Sequence, residues 1–244
     1  MNTLLFFFSL IGLLFSIVIL NDDINVNSKR FLNFQNCQVN YISKDPLLIS
    51  LDDVFDEEDL ENITKDYQIN LLNSLESIYR SKYFIHSHIL YANDSFLMNS
   101  FHNENLINYV SLLLNDDISI APINHPNSNI ISTISLNYST YKIIPELYMG
   151  KTYNCIYTIR NEDTDYFCYK INKLEDCIKK KRNSMIIFDP TKLFHYNYNQ
   201  KNNSKNVVYH TRFITDKQQN LKQLFYRYMF TLEGPQSFFS RLLY

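Results

Sequence analysis

Residues 185–199 read MIIFDPTKLFHYNYN, and the fold turns on how that stretch is parsed. Met185 to Phe188 run into Asp189-Pro190, after which His195 sits in an aromatic segment. Proline cannot donate within a central strand, so Asp189-Pro190 belongs to a connection. The spacing predicts strands over SMIIF (184–188) and KLFHYNY (192–198). NVVYHTRFI (206–214) joins the same β-body, with His195 near its open end.

Upstream, NIISTISLNYSTYKII (129–144), KTYNCIYTI (151–159) and DYFCYKI (165–171) read the same way. Six short strand-like runs separated by Asn, Asp, Lys and Pro argue for a sandwich or barrel. A hairpin between 151–159 and 165–171 sets Cys155 opposite Ile171 and Cys168 opposite Thr158, so Cys155 and Cys168 point to opposite faces. That pairing leaves Cys168 for Cys177, or bonds through Cys37.

The front half is helical. Residues 50–80 open with acids and carry Leu60, Ile63, Tyr67, Leu71 and Leu75 at helical spacing. ENLINYVSLLLNDD (104–117) is a second helix closed by Asn115-Asp116-Asp117, and DKQQNLKQLFYRYMF (216–230) a third. KYFIHSHILYA (82–92) alternates as a strand, which would set His86 and His88 on one face as a possible metal-clasping pair, or as two exposed polar residues. The expected plan is α+β: residues 1–20 an amino-terminal hydrophobic segment, 21–50 a stalk with leading strands, and 51–244 one domain.

Composition excludes several functions. The chain has 244 residues and a formal net charge of −2, which offers no basic face for nucleic acid. The run Lys179-Lys180-Lys181-Arg182 reads as a solvated turn. Gly12, Gly150 and Gly234 lie too far apart to cradle a phosphate or to build a nucleophile elbow. Thirty Asn in the same chain fit AT-rich codon usage.

Residues 3–20, TLLFFFSLIGLLFSIVIL, form an uncharged apolar run just long enough to span a bilayer, with no small-x-small cleavage pattern after it. They are read as a signal anchor, with a cleaved signal or a buried helix as alternatives. The body then lies in the secretory lumen or on a cell or virion surface. Sequons at Asn62, Asn93, Asn137 and Asn202, and four cysteines, fit that placement.

The strand series ending in MIIFDPTKLFHYNYNQKNNSKNVVYHTRFI resembles the prolyl 4-hydroxylase-like branch of the 2-oxoglutarate/Fe(II) dioxygenases, over roughly residues 130–214. The resemblance implies an antiparallel double-stranded β-helix, jelly-roll-like, with flanking helices. It implies that His195 is the distal iron ligand and that Lys205 takes the far carboxylate of 2-oxoglutarate. The upstream His-x-Asp has no counterpart: between Ile118 and Arg160 the only His is His125 and the only acid outside the 115–117 turn is Glu146, which becomes the carboxylate candidate. His210 and Arg212 fall on the opposite strand face from Lys205. The expectation is a membrane-anchored oxygenase-like protein acting on a protein or peptide, divergent or catalytically impaired, with Fe(II) and 2-oxoglutarate as cofactors if active. The alternative is a surface or envelope glycoprotein of a parasite or virus with a binding role.

Overall fold

The computed structural model describes residues 31–76, 84, 85, 87–121, 128–133, 151–161, 165–199 and 206–215. The amino-terminal segment, Glu146, Lys205, His86, His125 and the expected helix 216–230 lie outside the described residues. Among the described residues no helix is long and apolar enough to cross a membrane.

The chain is α+β with antiparallel sheets. Strands β1 (Gln38–Lys44) and β2 (Leu47–Asp52) lead into α1 (Glu57–Glu76), β3 (Phe84–Ile85), α2 (Ser87–Ala92), α3 (Phe96–Phe101) and α4 (Glu104–Leu114). Then come β4 (Ser119–Ile120), β5 (Ile130–Ser132), β6 (Thr152–Arg160), β7 (Asp165–Ile171), β8 (Leu174–Lys179), β9 (Ser184–Phe188), β10 (Phe194–Asn199) and β11 (Val207–Ile214). A large sheet runs β1-β2-β9-β6-β11-β5-β3, with β4 also on β11, and a small one runs β10-β7-β8.

Local chemistry explains the helix ends. Asp56 Oδ1 accepts from the Asp59 amide at 2.9 Å, and Glu57, Glu58 and Asp59 occupy the first turn of α1. Ser95 and Asn103 cap α3 and α4 through their side chains. Asn115 ends α4 in the left-handed region at φ 51°. Positive φ falls on Asp53, Asp94, Asn115, Asn129, Asn172, Lys173 and Asn183. Asn and Asp bear αL better than other residues with a Cβ, so the Asn content does here part of what the few glycines cannot. The two-residue β7–β8 turn, Asn172-Lys173, is one such place.

The large sheet has two different faces. Tyr153, Cys155, Tyr157, Tyr209 and Phe213 point to the helices, where Phe55, Phe101, Leu106 and Val110 meet them. Phe55 and Tyr157 pack edge-on at 5.3 Å, and the Phe101 and Tyr209 rings lie tilted at 4.8 Å. The opposite face carries Leu48, Ile156, Ile186, Phe188 and Val208 against Phe167 and Tyr169 of the small sheet. The sheet is thus a middle layer.

Several sequence expectations are corrected. The 151–159 and 165–171 segments do not form a hairpin: β6 pairs with β9 and β11, while β7 pairs with β8 and β10 in the other sheet. Periodicity reports that a strand has two faces, and carries no information about its partner. Cys155 is consequently a buried free thiol, and Cys168 bonds Cys177 across the directly paired β7 and β8. The run LEDCIK, not read as a strand, is β8. Ser87–Ala92 is helical, which places His88 on α2 and removes the strand geometry of the His86/His88 pair. The basic run is solvated at Lys179, Lys181 and Arg182 and turns at Arg182-Asn183, but Lys180 departs from that expectation. Lys180 is 1% exposed and paired at 2.9 Å with Asp165, itself 2% exposed. Lys181 reaches Asp52 at 2.5 Å and Arg182 lies 4.0 Å from Glu57, so the run clamps three elements together.

Candidate functional site

The Asp189-Pro190 connection carries the chain from the large sheet to the small one. Asp189 Oδ1 accepts from the Thr191 amide at 2.9 Å and its hydroxyl at 2.6 Å, and the Leu193 amide donates to the Asp189 carbonyl. Leu193 is buried between the sheets, and β10 begins one residue later. His195 pairs with Tyr169 and Asn197 with Phe167, both inward-facing residues of β7, so His195 and Asn197 face the inter-sheet space.

The His195 ring lies 4.4 Å from Phe188 and stacks on Phe167 at 5.5 Å and 16°. Its Nδ1 sits 3.0 Å from the Leu193 carbonyl. A carbonyl only accepts, so Nδ1 donates, and in the neutral ring Nε2 keeps its lone pair. Burial pushes the pKa down, against the Leu193 hydrogen bond that raises it. His195 is a neutral imidazole with one acceptor nitrogen.

The opposite wall comes from β6, β9 and β11. Asn154 pairs with both Phe188 and Arg212, and lies on the Ile156 face of β6. Arg212 and His210 share the face of Val208 on β11, so the structure turns both toward the small sheet. Burial, with Lys180 and Arg212 nearby, pushes the His210 pKa down to about 3. The Oδ1 atoms of Asn154 and Asn197 and the Oγ1 of Thr158 are buried without a hydrogen-bond partner. Buried polar atoms are nearly always paired, so these mark where a polar guest or water fits.

Of the sequence candidates, His195 is at this place, while Glu146 and Lys205 lie outside the described residues. Among the described residues no three His, Cys, Asp or Glu gather as metal ligands. His195 is the sequence candidate present among them, and the described residues do not compose a facial set for iron. Asn154 and Asn197 were missed by sequence reasoning, which set Arg212 on the face opposite Lys205. The β11 alternation carried the Arg212 signal once Val208 was known to face inward. An open cleft of about 540 Å³ at the end of α4, lined by Ser111, Asn115 and Asp116 among others, is a weaker candidate. There Asp116 is already engaged by Lys151 and the Tyr153 hydroxyl, each at 2.6 Å.

No family model matches the chain, and no curated protein matches its sequence. Among solved structures, AviO1 from Streptomyces viridochromogenes Tue57 aligns at 8% identity and TM-score 0.48, over 71% of this chain and 91% of that one. Apo HygX from Streptomyces hygroscopicus aligns at 8% identity and TM-score 0.46, over 70% and 84%.

Proposed function

We propose that the chain is an oxygenase-like protein, built on a double-stranded β-helix, whose inter-sheet space binds a small carboxylic acid beside His195 and turns it over weakly or not at all. The observation that carries this reading is the path of the chain: β6, β9 and β11 lie in the large sheet and β7, β8 and β10 in the small one, with His195 facing inward where β10 begins. Arg212 is the described cation on the inner face of β11. Its planar fork suits a carboxylate, and it takes the role the resemblance gives to Lys205. The Asn154 and Asn197 carboxamides offer N–H donors to the carboxylate, while His195 Nε2, which only accepts, meets the guest through a bridging water.

The reading includes tethering by residues 3–20, a body in the secretory lumen or on a surface, and a protein or peptide partner. The Cys168–Cys177 bond supports an oxidising compartment. Iron content and succinate release, measured for wild type and His195→Ala, test the chemistry. Little iron, little turnover and a nearly intact fold are expected; tight iron lost on that substitution would make this a working oxygenase.

A second reading, a metal-free binding glycoprotein, is favoured by the packing of the His195 ring between Phe167 and Phe188, an ordinary core role. Among its sequons Asn93 is exposed, and its carboxamide keeps a second N–H for a glycan. The Asn93 amide nitrogen donates to Asn70 Oδ1 at 2.9 Å, and the Ser95 hydroxyl of the same sequon donates to Asp66 at 2.6 Å.

A further inference from the structure

His102 is a partly buried residue on the other side of the large sheet, with no part in the inter-sheet site. It caps α3 through its backbone N–H on the Met98 carbonyl at 3.0 Å, and Asn103, the cap of α4, follows directly. Its side chain hydrogen-bonds Asn129, and its Nε2 is buried without a partner, so the bond is made through Nδ1. The Asn129 Oδ1 accepts from Tyr209 at 2.8 Å and Thr211 at 3.0 Å, both on β11. Ser128 shares a hydrogen bond with Thr211, and Asn129 reaches the Ala121 carbonyl at 3.4 Å. One carboxamide pins the α3–α4 corner to the sheet.

We propose that the His102–Asn129 contact is an acid-sensitive latch, which releases the α3–α4 corner from the large sheet when His102 takes a second proton. The resulting imidazolium carries an N–H on Nε2, a charged and buried donor with no acceptor. The described groups around it do not rescue the charge. On β11, Tyr209 is held neutral by burial, as is Cys155 on the neighbouring β6. On α1, Asp66 already accepts from Ser95, Leu97 and Asn70. On α4, Glu104 is exposed in the first turn, and α3 itself has no titratable side chain. Burial accordingly holds the folded His102 down to about 4, with the Asn129 bond opposing. An opened corner takes its proton near the ordinary value, so opening is favoured as pH falls from about 6.5 toward 4. This latch is independent of the oxygenase-like reading.

Amide hydrogen exchange over residues 96–114, corrected for intrinsic rates, tests it. The opening constant should rise about a hundredfold between pH 7.5 and pH 4. His102→Gln, whose carboxamide can still hydrogen-bond Asn129 and cannot charge, should flatten that rise, and His195→Gln should not. Should His102→Gln fail to fold, the wild-type His102 ring signal decides by itself: titration below pH 5 supports the latch. Titration near 6.5, pH-independent protection of 96–114, or an unchanged rise in folded His102→Gln would overturn it.

Discussion

The two faces of the large sheet satisfy their polar groups differently. Toward the helices, Asn183 accepts from the Phe55 amide at 3.0 Å and the Tyr157 hydroxyl at 3.1 Å, and donates to the Phe55 carbonyl at 2.7 Å. Its own backbone is bonded to Val54 and Thr158. Toward the small sheet, Asn154 and Asn197 leave oxygens buried and unpaired beside a neutral His195. Both faces are strand surfaces of one sheet, with apolar residues at alternate positions. The helix-side carboxamide is a joint; those on the inter-sheet side keep unpaired acceptors, as His102 Nε2 does on the helix side, and their gathering with His195 on the inter-sheet side points to where a ligand goes.

Breaking the joint should cost most. Asn183→Ala strands a buried amide, a carbonyl and a phenol, and puts a Cβ without a compensating side chain at φ 61°. About 3 kcal/mol or more of lost stability is expected in urea unfolding. Acid gives the next largest effect. His102 and His210 have folded pKa values of about 4 and 3, below the ordinary 6.5. The stability they contribute as neutral groups is present above pH 6.5 and is lost as pH falls through the window below it. The slope is up to about 1.4 kcal/mol per pH unit for each residue. Urea midpoints of His102→Gln and His210→Gln across pH 4–7 separate the helix-side share from the inter-sheet share. The smallest effect belongs to Asn154→Leu, which removes an unpaired acceptor from the inter-sheet space and should shift stability by less than about 1 kcal/mol. A loss as large as that of Asn183→Ala would erase the contrast between the faces.

Much of the fold was legible in the sequence because period-two alternation is local. The strands at 151–159, 165–171, 184–188 and 206–214 fall where the apolar pattern set them. Helices over 57–76 and 104–114 follow their acids and caps. Strand partnership was not legible, since Cys155 opposite Ile171 and Cys155 opposite Ile187 satisfy the same alternation. LEDCIK was overlooked because an edge strand exposed along nearly its whole length carries no apolar stripe. Lys180 was misread because the neutralising Asp165 lies 15 residues away and meets it only in the fold. Of the site, His195 could be singled out by its place after Asp189-Pro190. Asn154 and Asn197 are two asparagines among thirty, and only burial without partners distinguishes them.

The most direct test is a titration of metal-free protein with 2-oxoglutarate, watching the His195 and His102 ring signals by NMR in wild type and Arg212→Leu. The account predicts that His195 shifts, that His102 on the far side of the sheet stays put, and that Arg212→Leu abolishes the His195 shift. A His195 signal indifferent to the oxoacid, or a shift that survives the loss of Arg212, would contradict it.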